Sequence, residues 1–118
     1  MLKMYYQKKA FLLEYSMKEK PVKFLKVFTY LDDIISHRNE NYNEKSYISK
    51  LLRSSVSRVS QKVGEEAVEV VIAANKNSKQ NLINESADLI FHLLILWKKK
   101  KVTLSEIAKE LESRKNDR

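Results

Sequence analysis

The chain has 118 residues, with 23 Lys+Arg against 15 Asp+Glu, one Gly, one Pro and no Cys. That length fits one domain around one core, the missing Cys excludes disulfide scaffolds, thiolate metal sites and thiol nucleophiles, and so little Gly and Pro argues against an all-β fold. No apolar run approaches the ~18–20 residues that cross a bilayer, so no membrane role is expected, while the net charge of +8 points to an anionic partner.

Residues 1–20 carry Leu2, Tyr5, Tyr6, Phe11, Leu12 and Tyr15 with no clean period and are read as an N-terminal extension of unassigned structure. They show no apolar stretch followed by a small-residue cleavage site, so a cytoplasmic protein is expected. From residue 21 to 118 one helical domain is predicted. Pro21 suits a first turn, and Val22, Leu25, Phe28, Leu31 and Ile35 then recur at three- and four-residue spacing, a helix stripe ending near Arg38. Asn39 to Lys45 reads as a loop, and Ser46 opens a short helix with Tyr47, Leu51 and Leu52. A second long helix runs from about Ser57 to Ala74, with Val59, Val63, Ala67, Val70 and Ala74 on one face. After a polar turn, Asn75 to Gln80, a third covers about Asn81 to Lys99. It is apolar on most sides and is expected to be the central helix. Thr103-Leu-Ser-Glu106 reads as a capping box, followed by a last helix burying Leu104, Ile107, Ala108 and Leu111. The expected fold class is an all-α bundle of four to five helices.

Between Lys45 and Ser105 the only acids are Glu65, Glu66, Glu69, Glu85 and Asp88. At about 100° per residue, Glu66 and Glu69 lie ~60° apart on their helix, as do Glu85 and Asp88 on theirs. A short turn joins the two helices, so antiparallel packing lets the two carboxylate faces meet beside the core. Unpaired anions there repel and are costly to desolvate. A divalent cation resolves that conflict, and oxygen ligands favour Mg²⁺, with Mn²⁺ as the alternative. The bland alternative is a set of solvated surface acids, but such acids normally alternate with cations one turn away. Here only Lys62 precedes Glu65, Glu66 and Glu69, and nothing comparable surrounds Glu85.

Other residues carry open readings. Lys62 suits phosphate contact or charge balance. His92, four residues after Asp88, could orient Asp88, contact substrate, or be a satisfied core histidine. Tyr47 could stack on a base or ribose, or belong to the core. Arg38, Arg53 and Arg58 are candidate phosphate ligands by charge and position. The run Lys98 to Lys101 is read as a cationic helix C-terminus facing water. Gly64 inside a helix costs about 1 kcal/mol relative to Ala, which suggests a close backbone approach by another helix or by substrate.

Glu-Glu-x-x-Glu followed by Glu-x-x-Asp resembles the metal site of the all-α, MazG-like nucleoside triphosphate pyrophosphohydrolases, which include dimeric dUTPases. Gln61-Lys62-Val63-Gly64-Glu65-Glu66-Ala67-Val68-Glu69, Glu85-Ser86-Ala87-Asp88-Leu89-Ile90-Phe91-His92-Leu93-Leu94, Ser46-Tyr47 and the closing Leu111 to Arg114 narrow the resemblance to the phosphoribosyl-ATP pyrophosphohydrolases of histidine biosynthesis. It extends over about Lys23 to Arg114. The resemblance implies Mg²⁺-dependent hydrolysis of phosphoribosyl-ATP to phosphoribosyl-AMP and pyrophosphate, in a homodimer. Glu66, Glu69, Glu85 and Asp88 would hold the metal, and Glu65 would bind a second metal or activate water. Fused relatives carry a Cys–zinc cyclohydrolase ahead of this domain, which is not expected in a Cys-free chain. Members usually carry Gly where this chain reads Arg53-Ser54-Ser55-Val56 and again near Lys101, so either loop is expected to suffer if it needs positive φ.

A MazG-like house-cleaning nucleotide pyrophosphatase is the alternative within the superfamily. A basic nucleic-acid-binding module is the alternative outside it, but it lacks a recognisable motif and leaves the paired acids unexplained. Residues 1–60 hold twelve basic and six acidic residues, and 61–118 hold eleven and nine. The positive charge is thus a basic surround for a small acidic patch, suited to a phosphate-rich nucleotide rather than to nucleic acid.

Overall fold

In the computed structural model, residues 20–115 are described. They form five helices and, among the described residues, no strand: α1 Lys20–Glu40, α2 Tyr47–Arg53, α3 Val56–Ala74, α4 Lys79–Lys99 and α5 Leu104–Ser113. The all-α expectation is met, and helix ends differ from the sequence reading by a few residues. The N-terminal extension lies outside the described residues except for Lys20.

Each helix from α2 to α5 starts on a hydroxyl. Ser46, Ser55, Ser78 and Thr103 sit in extended backbone and accept from the main-chain N–H of Ser49, Arg58, Asn81 and Glu106, meeting donors that the first turn leaves without a helical partner. At Thr103 the box is complete, because Glu106 Oε1 accepts the Thr103 N–H at 2.9 Å. The Glu106 carboxyl is thereby held below its usual range, first by that main-chain bond and then by the Thr103 side chain.

The missing loop glycines have different outcomes. Ser54 has φ −74° and Ser55 φ −67°, conformations open to any residue, so the loop before α3 needs no Gly. Lys101 has φ 58°, the only positive φ among the described residues. The Val102 N–H donates to Trp97 O at 2.8 Å and the Lys101 N–H to Lys98 O at 3.2 Å, the paired bonds of a Schellman ending. A lysine therefore occupies the left-handed position where Gly is usual, and the turn forms despite the strain.

The described residues fall into two compact units, where the length alone suggested no internal boundary. Ile34–Val102 is one. Its core is Ile35, Leu51, Leu52, Val59, Ala73, Leu94 and Ile95, with Ser49 and His92 as the buried polar residues. α4 packs against both α3 and α2, as a helix apolar on most sides should. Its basic end is tied in: Lys98 Nζ donates to Ser36 Oγ and Lys99 Nζ to the Leu52 main-chain oxygen, both at 2.8 Å. The expectation that this lysine run faces water is thus corrected for Lys98 and Lys99, which serve as tethers. Lys100 and Lys101 are exposed.

The other unit holds residues 20–33 and 103–115. Here burial falls short of expectation. On α1, Leu25 is 67% exposed, and Phe24, Val27 and Tyr30 are exposed beside it. On α5 none of the four expected core residues is buried: Leu104 and Ile107 are half-buried, Ala108 and Leu111 exposed. The apolar spacing is genuine on both helices, but spacing shows which face is apolar and not whether this chain covers it. No helix among the described residues is long and apolar enough to cross a membrane.

Candidate functional site

The site is built on the α3–α4 hairpin. The Ala74 end of α3 and the Ser78 cap of α4 are separated by three residues, so the helices run back along each other and bring the two acidic motifs face to face. Glu66, Glu85 and Asp88 each offer a carboxylate oxygen, and the three oxygens lie within 4.8 Å of one another. Glu66 and Glu85 are half-buried and Asp88 exposed. The Glu85 carboxyl is held above its usual range by partial loss of hydration, then by repulsion from Glu69, Asp88 and Glu66, with Lys76 pulling the other way. Lost hydration and three neighbouring acids thus raise Glu85, and the ion pairs that Lys62 makes reach Glu65 and Glu66 and not Glu85 or Asp88.

Glu69 stands one turn beyond Glu66 and faces a cavity of about 140 Å³ with Glu85, Lys76, Asn81, Ile72 and Ala73. The structure therefore brings together Glu66, Glu85 and Asp88 directly and places Glu69 next to Glu85. Glu65 is turned outward: it is exposed, accepts from Gln61 Nε2 at 3.2 Å and lies 3.6 Å from Lys62 Nζ. The same Nζ is 3.9 Å from Glu66 Oε1, so Lys62 balances charge at the edge of the cluster.

The remaining predicted residues lie outside the cluster. Arg53 is exposed, its guanidinium 3.8 Å over the Tyr42 ring, a cation–π contact. Arg58 is exposed on the first turn of α3, and Arg38 is half-buried near the end of α1. Tyr47 is half exposed, and its hydroxyl lies 2.9 Å from Nε2 of the buried His92. Of the two approaches expected at Gly64, that by another helix is absent among the described residues, since a Cβ there would find nothing within 4 Å.

Lys76, Asn81 and Tyr42 escaped the sequence reading. Lys76 and Asn81 fall on either side of the cap, in and just after a polar turn that was read only as punctuation. The available signal was the lysine itself, which stands between two acidic helices at the point where they meet. Tyr42 sits in a loop with no periodicity to mark it.

An all-α hairpin whose two helices pool their carboxylates is the arrangement expected of the helical nucleoside triphosphate pyrophosphohydrolases. Comparison with known proteins narrows this: residues 28–115 match the family model described as phosphoribosyl-ATP pyrophosphohydrolase. The chain belongs to that family. It is 50% identical over 84 residues to a phosphoribosyl-ATP pyrophosphatase of Leptospira biflexa, covering 71% of this chain and 91% of that protein. With the phosphoribosyl-ATP pyrophosphatase of Methanosarcina acetivorans it shares 45% over 92 residues, 76% of this chain and 88% of that one. The histidine biosynthesis bifunctional protein HisIE of Bacteroides thetaiotaomicron is 43% identical over 96 residues, 81% of this chain but 46% of its own length.

Proposed function

We propose that this protein hydrolyses phosphoribosyl-ATP to phosphoribosyl-AMP and pyrophosphate, a step of histidine biosynthesis, using the α3–α4 carboxylates to hold Mg²⁺, or Mn²⁺ in its place. The observation that carries the site is the convergence of Glu66, Glu85 and Asp88 oxygens within 4.8 Å, in a family whose relatives bear that activity in their names. All-oxygen donors suit a hard divalent ion, and the Glu85 carboxyl is raised first by lost hydration and then by repulsion from Glu69, Asp88 and Glu66, a repulsion that such an ion relieves. The donor set therefore fits the group.

When bound, the ion neutralises phosphate oxygens and acts as a Lewis acid toward them. Glu66, Glu85 and Asp88 supply its ligands, with Glu69 beside Glu85. Lys62 at one edge and Lys76 at the turn flank the carboxylates and attract the polyphosphate. Arg38, Arg53 and Arg58 provide further cationic contacts around it. In the reaction one water adds to a phosphorus, the bond between the α- and β-phosphates breaks, and pyrophosphate departs. Glu65, paired with Gln61 and Lys62, serves the rim of the site and not its centre.

We also propose a homodimer in the cytoplasm. Phe24, Leu25 and Tyr30 on α1 and Val68 and Val71 on α3 are each more than half exposed, apolar area that a second copy can cover. The lack of Cys suits a reducing compartment. A panel of phosphoribosyl-ATP, canonical triphosphates and modified triphosphates, with and without chelator, tests the activity. Turnover of phosphoribosyl-ATP that chelator abolishes is expected. Turnover of the other triphosphates alone would move the chain to a house-cleaning role. Sedimentation at micromolar concentration should give twice the mass of 13.9 kDa.

A further inference from the structure

His92 and Tyr47 take no part in the carboxylate cluster, yet they are joined with care. His92 is 5% exposed, and its Nδ1 lies 2.7 Å from the main-chain oxygen of Asp88, one turn earlier. A carbonyl oxygen only accepts, so Nδ1 carries the hydrogen of that bond. The other ring nitrogen, Nε2, is hydrogen-bonded with the Tyr47 hydroxyl at 2.9 Å. Both ring nitrogens are spent inside the protein, which leaves His92 no nitrogen for phosphate, metal or a proton in transit.

Tyr47 is arranged the opposite way. It is 51% exposed, although an exposed tyrosine ordinarily keeps its hydroxyl in water. One ring face runs along Phe91, centroids 6.2 Å apart at 18°, and its ring meets that of His92 edge-on, at 5.9 Å and 79°. The hydroxyl, one face and one edge are fixed while half the residue stays open. Ordering an exposed ring costs conformational entropy, and the bond to the buried His92 accounts for the hydroxyl but not for the half of the residue that stays open. A preset flat surface is, however, what a nucleobase needs for stacking.

The position matters as much as the pose. Glu85, Asp88 and His92 follow at three- and four-residue spacing along α4, so they share one face. His92 lies about 6 Å further along the helix axis than Asp88, and Tyr47 is bonded at that level. Lys76 and Asn81 line the cavity at the opposite, turn end. We propose that Tyr47 is the surface on which the substrate's base stacks, and that His92 is the positioning residue that holds it there. The nucleoside then points toward α2 and the departing pyrophosphate toward the α3–α4 turn. This deepens the phosphoribosyl-ATP reading and rests on it.

Kinetics on Tyr47→Ala, Tyr47→Phe, His92→Gln and the double variant His92→Gln/Tyr47→Ala test it. Tyr47→Ala should raise KM roughly tenfold or more while kcat changes little. Tyr47→Phe, which keeps the face and loses the tether, should fall between. His92→Gln should raise KM when Tyr47 is present and add nothing in the Tyr47→Ala background, whereas a merely structural role would add its cost in both. AMP, titrated without metal into the chain carrying labelled tyrosines, should shift the ring resonances that Tyr47→Phe removes. Unchanged KM in Tyr47→Ala, additive effects in the double variant, or Tyr47 resonances unmoved by saturating AMP would overturn the proposal. If the native chain fails to turn over phosphoribosyl-ATP, the functional reading falls, and the AMP titration alone decides whether Tyr47 stacks.

Discussion

The two ends of α4 hold charge in opposite ways. Toward its N-terminal half, Glu85 and Asp88 face Glu66 and Glu69, and lost hydration together with that repulsion holds the Glu85 carboxyl above its usual range, with Lys76 acting against them. At its C-terminal end, Lys98 and Lys99 each reach an oxygen at 2.8 Å, on Ser36 and Leu52. Charge that finds a partner inside the chain holds the chain together. Charge denied one is poised for something the chain does not contain. The difference separates ligand-directed from structural residues within one helix of 21 residues.

Five substitutions press on that contrast, starting with the largest effect. Asp88→Asn or Glu69→Gln should cut turnover at least about a hundredfold, the scale of losing a group that acts in the transition state, with the circular dichroism spectrum unchanged. Turnover within a few-fold of native in either variant would remove the carboxylates from the mechanism. At the other end, Lys99→Met should cost about 1–2 kcal/mol by denaturant titration, because it leaves the Leu52 oxygen without its charged donor. Lys101→Gly should gain about 1 kcal/mol, since Gly holds φ 58° without the Cβ penalty; no change in the denaturation midpoint would mean that the left-handed turn carries no strain.

The smallest effect is a pH dependence. A carboxyl whose pKa is higher folded than unfolded favours the folded state while protonated. That favour is complete below the ordinary carboxylate range and is lost as pH rises through the folded-state value. Glu85→Gln should therefore raise the melting temperature of the metal-free chain at neutral pH. The gain should vanish in acid below the ordinary carboxylate range. Saturating Mg²⁺ should shrink the difference or reverse it, because the native carboxylate then has a partner. A melting temperature that falls at neutral pH without metal would show that Glu85 is paired after all.

Much of this was legible because it is local. The caps at Ser46 and Thr103, the helix periods and the spacing of Glu66 with Glu69 and of Glu85 with Asp88 all lie within one or two turns, which a sequence displays directly, whereas the caps at Ser55 and Ser78 passed unread. The short turn supplied the rest by forcing the two acidic faces together. What stayed hidden joins residues far apart in the chain: the bond between Tyr47 and His92 spans 45 positions and that between Lys98 and Ser36 spans 62, and no period announces either. Gly64 was only half legible for a different reason. A helical glycine signals a missing side chain but not what approaches it, and no other helix among the described residues does so. The apolar faces of α1 and α5 mark the third limit, since a stripe looks the same whether its own chain or another covers it.

The hydroxyl caps have a consequence for how the molecule opens. With a single Gly and a single Pro, this chain marks its helix starts by side-chain oxygens instead of by backbone constraint. The amides of Ser49, Arg58 and Asn81 each depend on one hydroxyl at 3.1–3.2 Å, and the side chains of these three residues return no bond to the cap. At Glu106 the bond from Thr103 is matched by one returned from the carboxylate. In deuterated solvent the first three should lose their protons well before the amides of the helix interiors. Glu106 should hold its proton longer than a helix so exposed would otherwise allow, until acid protonates the carboxylate that completes its box.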